Sequence, residues 1–146
     1  MRVEIRLSSE ADESYVIIHT KELTEEIQQL VMLIENSQST ILTVKQNERL
    51  FILNVSDIQI IRTEGKEVCV YDSSNQKFTS TKRLYEIEAM LNNEFFRISK
   101  SAIVNLLKID HVDTNIVGTL DVVTKNGCVE SISRRYVQAF KTRVGI

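Results

Sequence analysis

The chain contains no proline, four glycines and two cysteines among its 146 residues. Without proline, and with so little glycine and no low-complexity run, it has no long flexible linker. No apolar run approaches the ~18 residues of a membrane-spanning helix. The opening Met1-Arg2-Val3-Glu4-Ile5-Arg6 alternates charged and apolar residues, unlike a secretory leader. Cys69 and Cys128 lack metal-ligand spacing and sit in strand-like runs. They read as buried or half-buried free thiols of a reducing compartment, which points to the cytoplasm, with a redox role as the alternative. The marks of an enzyme are also missing. There is no Gly-rich phosphate loop and no metal-ligand set. His19 and His111 stand alone, His111 reading as a solvated or hydrogen-bonded structural residue, and Cys69 has no histidine near it in sequence. The expectation is a non-enzymatic protein with no metal and no cofactor.

What is present is an asymmetry of charge. Residues 1–39 hold Arg2, Arg6 and Lys21 against eight acidic residues, a net −5, so the total of −2 leaves +3 for residues 40–146. Two regions of opposite sign suggest two roles, and only the second tolerates a polyanion.

The hydrophobic pattern divides at the same place. Val3, Ile5 and Leu7 alternate with charges and predict a strand; Tyr15-Val16-Ile17-Ile18-His19 predicts another. Ser8 to Glu13 is turn-like. Thr20 is a candidate cap for a helix carrying Leu23, Ile27, Leu30, Val31 and Ile34 on one stripe and ending in Asn36 to Ser39. This β-β-α unit, residues 1–39, is too small to bury a core alone. It is read either as a decorating subdomain or as a surface for dimerisation or partner docking.

From Ile41 the pattern is of short strands: Ile41–Lys45, Arg49–Leu53, Gln59–Thr63, Val68–Tyr71, Lys77–Ser80, a strand after Ile109, Leu120–Thr124 and Cys128–Ile132. Gly65 marks one turn and Asn126-Gly127 another. Thr81 opens a helix with Leu84, Ile87 and Leu91 on one face. Ser133 is a candidate cap for a C-terminal helix in which Val137 and Phe140 pack inward. The stretch Phe95-Phe96-Arg97-Ile98-Ser99-Lys100-Ser101-Ala102-Ile103-Val104-Asn105 goes from apolar to cationic and back. Its simplest geometry is two anchored strands whose short connection presents Lys100 to solvent. Lys66, Lys100, Arg134 and Arg135 fall at loop or strand ends rather than on periodic faces. Arg134-Arg135 stands at a helix start, where acids are ordinarily preferred unless an anion binds there.

The run from Phe95 to Asn105, followed by Lys108-Ile109 and then by Ile132-Ser133-Arg134-Arg135-Tyr136, resembles the LytTR family of bacterial DNA-binding domains over residues 40–146. The resemblance implies a mainly β (α+β overall) fold: an elongated stack of antiparallel sheets with a short helix, here behind the small β-β-α unit. It implies a stand-alone transcription regulator without a receiver domain, which reads the major grooves of double-stranded DNA through loops, as a homodimer on promoter repeats. Carried onto this chain, the base-reading positions are Lys100 and Arg135, with a third contact loop at Gly65-Lys66-Glu67-Val68. Ser99, Ser101, Ser133 and Arg134 become phosphate or supporting contacts, Arg97 a brace onto a carboxylate or carbonyl, and Asn105 a backbone-bonding turn residue. Relatives often have Asn, Arg or His where this chain has Lys100, and an aromatic where it has Ala102. Lysine reaches guanine O6 and N7 but cannot make asparagine's bidentate contact with adenine, so the resemblance leaves the base preference at that position open. Some such regulators pair with an inhibitory membrane protein. The alternative function is therefore a protein-interaction module that docks a membrane-associated antagonist and binds DNA weakly or not at all.

Overall fold

The alternation of Ile41-Leu42-Thr43-Val44 sends Leu42 and Val44 to one side, and in the computed structural model those two are buried while Ile41 and Thr43 face outward. The structure describes residues 2–7, 9–10, 15–35 and 40–146. The chain divides into two units, Met1–Glu35 and Asn36–Ile146.

Among its described residues the first unit holds one helix, α1 (Glu25–Glu35). It starts later than the sequence suggests, because Thr24 rather than Thr20 caps it: Ile27 N donates to Thr24 Oγ1 at 3.3 Å. The Thr20 hydroxyl instead donates to the Glu22 carbonyl at 2.8 Å. Glu25 and Glu26 fill the first turn, where the helix dipole favours them. The two strands expected at Val3–Leu7 and Tyr15–His19 are not formed. A strand needs a ladder partner and a core for its apolar face; among the described side chains of this unit none is buried. Ser9 and Glu10 lie in a turn, as expected. The rest of the predicted turn (Ser8, Ala11, Asp12 and Glu13) and the predicted helix end at Asn36 to Ser39 fall outside the described residues.

The second unit is strand-rich and antiparallel. β1 (Ile41–Gln46) and β2 (Arg49–Asn54) form a hairpin whose turn residues, Asn47 and Glu48, both take positive φ, 49° and 63°, as a right-twisted two-residue connection requires. β3 (Ile58–Glu64) and β4 (Glu67–Asp72) meet through Gly65, φ 62°. β5 (Lys77–Ser80) leads to α2 (Leu84–Met90). This helix begins after Thr81, because Ser80 Oγ takes the Lys82 N–H and the chain stays extended through Arg83. Then follow β6 (Phe95–Ser99), β7 (Ala102–Asn105), β8 (Ile109–Thr114), β9 (Leu120–Thr124), β10 (Val129–Ile132) and α3 (Arg134–Val144). Seven strands make one sheet in the order β2-β1-β5-β4-β3-β7-β6, and three make a second in the order β10-β9-β8.

β7 explains how the layers stack. All four of its residues are buried. Ile103 joins a core with Leu42, Val44, Ile61, Phe78 and α2's Ile87. Ala102 and Val104, on the opposite face, join Leu120 and Val122 of the small sheet and Phe140 of α3. Phe140 is fully buried, as predicted, and meets Phe96 edge-on with ring centroids 6.0 Å apart. The two sheets are also joined by polar groups. At the β9–β10 turn Asn126 N donates to Gln59 Oε1 (2.7 Å) and Asn126 Nδ2 to the Asp72 carbonyl (2.9 Å). Further along, Arg62 Nη1 donates to Glu130 Oε2 at 3.0 Å.

Candidate nucleic-acid interface

The connection between β6 and β7 is only Lys100-Ser101, and every bond around it tightens it. Ser99 Oγ accepts from Ser101 N at 3.1 Å and lies 3.3 Å from Ser101 Oγ. Arg97 closes the loop from beneath: Nε donates to the Ser99 carbonyl (2.7 Å), Nη2 to the Lys100 carbonyl (2.9 Å) and Nη1 to Glu88 Oε2 (3.0 Å). The brace expected of Arg97 thus reaches a carboxylate and two carbonyls at once, which only a planar fork of donors can do. Asn105 holds the other end of β7, donating through Nδ2 to the Ile58 carbonyl (2.9 Å) and accepting from Leu107 N (3.1 Å). The Lys100 side chain is left exposed at the apex.

Two further segments are tied to this loop through the backbone. Thr63 N donates to the Ser101 carbonyl at 2.8 Å, so β3 runs beside the loop. The β3–β4 turn, with exposed Lys66 at its tip, continues past that level by two or three residues, roughly 7–10 Å at strand rise. On the other side, the β6–β7 register jumps from Arg97↔Ile103 to Ser99↔Ala102. The bulge frees the Ile98 carbonyl, which accepts from Ser133 N at 2.9 Å. Ser133 sits at the N-cap position of α3, but its side chain makes no cap bond; its backbone N–H does the anchoring instead. Arg134 and Arg135 follow directly and are exposed, with the Arg135 guanidinium 5.8 Å from the centre of the Tyr136 ring. Ser99, Lys100, Ser101 and Ser133 are therefore one cluster, with Lys66 on its β3 side and Arg134-Arg135 on its α3 side.

Three of the fifteen Lys and Arg residues of positions 40–146 are in ion pairs, and the four cations around this cluster are not among them. Arg62, Lys77 and Arg97 are paired with carboxylates. Lys66, Lys100, Arg134 and Arg135 pair with no carboxylate among the described residues. Four unneutralised cations on braced segments at one end of the unit make a surface suited to a polyanion.

The sequence reading missed what supports this surface. Arg62, whose strand neighbours gave no hint of it, is a hub. It bonds Glu64 Oε2 (3.3 Å), Glu130 Oε2 (3.0 Å) and Tyr71 Oη (3.5 Å), and lies 4.8 Å over the Tyr71 ring. Glu64 also accepts from the Tyr71 hydroxyl and from Lys77 Nζ (3.3 Å). The Tyr71 bond, helped by Lys77 and Arg62 against some desolvation, holds the Glu64 carboxyl down at about 2. Partial burial disfavours the Arg62 charge, but its bonds to Tyr71, Glu130 and Glu64 outweigh this and raise its pKa further. Burial, reinforced by Glu64, pushes the Tyr71 phenol up. The hub engages Glu64, one of the two acids flanking the Lys66 turn, with internal partners and ties β3 to β10, hence to the start of α3. Arg62 and Glu130 are 68 residues apart, and no local pattern announces such a pair.

Elsewhere among the described residues the thiols and the histidine His111 show no activated group. Cys69 is buried and Cys128 half-buried, both as free thiols, and burial raises the pKa of each, the reverse of an activated nucleophile. His111 is exposed and bonds Asp110 Oδ2 at 2.7 Å, which raises its pKa, in keeping with a hydrogen-bonded surface histidine. Among the described residues no group of acidic, Cys and His side chains could hold a metal, and no helix is long and apolar enough to cross a membrane.

Known proteins resemble this chain in sequence and in fold. Proteins of Staphylococcus aureus strains MSSA476 and N315, each named an uncharacterized HTH-type transcriptional regulator, are 31% identical to this chain over 147 residues, covering 100% of it and 99% of their own length. Their name refers to a helix-turn-helix; in this chain α1, α2 and α3 are each separated by strands, so among the described residues no two helices form such a motif. A solved LytTr DNA-binding domain from Bacillus cereus superimposes with a TM-score of 0.69 at 22% identity, over 74% of this chain and 99% of that one, and shares its fold. A family profile described as the LytTr DNA-binding domain matches residues 48–145. The chain belongs to the LytTR family of DNA-binding domains, a family of regulators rather than enzymes.

Proposed function

We propose that this DNA-binding regulator recognises a specific double-stranded site by inserting its loops into successive major grooves. Lys100 and Arg135 read base edges, and Lys66, Arg134, Ser133 and Ser101 meet phosphates. Ser99 shapes the loop that carries Lys100. The observation that supports this best is the grouping of four exposed cations without a carboxylate partner, Lys66, Lys100, Arg134 and Arg135, on segments held together by the Thr63–Ser101 and Ser133–Ile98 backbone bonds. Arg135 is the best guanine reader, since a guanidinium fork matches O6 and N7. Lys100, on the stiffest loop, favours guanine as well. Because the net charge of residues 40–146 is only +3, affinity depends on these few focused cations rather than on bulk attraction.

The regulator acts in the cytoplasm and binds paired repeats as a homodimer. The dimeric reading is supported by the first unit, which has an apolar helix stripe and no buried side chain among those described. The test is a fluorescence-anisotropy titration of promoter duplexes at two salt concentrations. Arg135→Ala should weaken specific binding about 5- to 150-fold and relax specificity, while Lys66→Ala should weaken all sequences alike and lower the salt slope by about one. Unchanged specific affinity in Arg135→Ala would refute its base-reading role. A flat salt response of the wild type would refute DNA as the ligand.

A further inference from the structure

The first segment of the chain is patterned as a strand but lacks a partner. Val3, Ile5 and Leu7 alternate with Arg2, Glu4 and Arg6, yet in the structure residues 2–7 pair with nothing as a strand, and the three apolar side chains are 80%, 82% and 96% exposed. The three charges share one side: Glu4 Oε2 accepts from Arg2 Nη2 at 3.2 Å and Glu4 Oε1 from Arg6 Nε at 2.9 Å. In the same unit the stripe of α1 is not buried, with Ile27, Leu30 and Val31 only half-buried and Ile34 exposed. Three apolar residues in a row of alternation, facing water in an otherwise ordinary sequence, call for a second strand.

We propose that Arg2–Leu7 pairs with the same segment of a second copy of this chain, as an antiparallel two-fold ribbon centred on Ile5, and that this is the interface of the dimer. The inference rests on the dimeric reading above and names its surface. Charge complementarity selects both the occupant and the register. In an antiparallel pair, residues directly opposite lie on the same face. Centring on Ile5 puts Ile5 against its copy and Val3 against Leu7 on one face. On the other face Glu4 meets Arg6, twice by symmetry. Centring on Glu4 instead opposes Glu4 to itself and Arg2 to Arg6, and centring on Arg6 opposes two arginines. Centring on Val3 matches Arg2 with Glu4 but leaves Arg6 and Leu7 outside the pair. A slip of one residue faces apolar side chains with charges. The segment is thus complementary to itself over its full apolar run in one register. The ribbon's apolar face then offers the α1 stripes of both copies a surface to cover.

The test is sedimentation equilibrium of the full chain without DNA, combined with charge exchange and cross-linking. Glu4→Arg should weaken dimerisation on the order of 10- to 30-fold, because two attractive cross-strand pairs become repulsive. The exchange Glu4→Arg with Arg6→Glu should restore it. Under mild oxidation Ile5→Cys should form a covalent dimer, while Glu4→Cys, whose copies would sit about 7–8 Å apart on a diagonal, should not. The unsubstituted chain, with Cys69 and Cys128, is the control. A dimer unchanged by Glu4→Arg overturns the ribbon, as does failure of the charge exchange to restore it. A wild-type monomer at the highest attainable concentration also overturns it and gives the segment to a different protein. Titration of a single DNA repeat keeps the readings apart: Glu4→Arg should bind it as the wild-type protomer does. If Arg135→Ala has no effect on DNA while charge exchange restores the dimer, only the base-reading assignment fails.

Discussion

Replacing Glu64 by Gln should remove much of this protein's sensitivity to acid. In the folded chain the Tyr71 hydroxyl, Arg62 and Lys77 hold the Glu64 carboxyl at about 2, against an ordinary 4.5. A displacement of that size corresponds to about 3 kcal/mol of folding free energy if counted in full. The Glu64 side chain is 34% exposed, however, so solvent screening reduces the expected contribution to about 1–2 kcal/mol. The folded-state value is the lower one. The contribution is therefore complete above the ordinary glutamate range and is lost as pH falls from about 5 towards 2. Gln keeps an acceptor for Tyr71 but offers no charge to Arg62 or Lys77. Urea denaturation across a pH series, at constant m-value, should show Gln less stable than wild type by about 1–2 kcal/mol at neutral pH, with the two converging near pH 2–3. Tyr71→Phe, which removes the main donor to Glu64, should shift the wild-type acid transition upward in pH. A gap between wild type and Gln that is as wide at pH 3 as at pH 7, or no gap at pH 7, would refute the reasoning.

Arg97→Ala removes the two bonds that close the Lys100 loop and the one to Glu88, and should cost about 1–2 kcal/mol in stability, while weakening DNA binding although Arg97 is half-buried. Arg97→Lys should not restore affinity, because an ammonium cannot reach two carbonyls and a carboxylate together; wild-type affinity in either variant, measured by anisotropy, would contradict the brace. Phe140→Ala empties a fully buried position between α3 and Phe96 and should cost about 3–5 kcal/mol by chemical denaturation. A loss below about 1 kcal/mol would mean that α3 is not held by this residue. Thiol labelling followed by mass spectrometry should modify Cys128 slowly in the native protein and Cys69 only on unfolding. Equal, fast labelling of both would show that the core around Cys69 is open.

The sequence by itself determined the local elements of the second unit. Period-two alternation and turn residues placed its strands. The anomaly of cations at loop ends, together with the two motifs, picked out the segments around Lys66, Lys100 and Arg135. Each of these signals is local: a strand's faces, a turn's φ and a helix's first turn depend on a few neighbouring residues. Tertiary structure decided what locality cannot carry. The Ile98 bulge that hands its carbonyl to Ser133, the Arg62–Glu130 tie between sheets and the Gln59–Asn126 clamp join residues far apart in the chain. These bonds set three loops at one end of the unit. The first unit shows the converse. Its alternation reads as two strands, but a strand exists only with a partner beside it and a core beneath it, and residues 2–7 and 15–20 have neither as strands within the isolated chain. Helix α1 forms there regardless, because its hydrogen bonds close within its own turns.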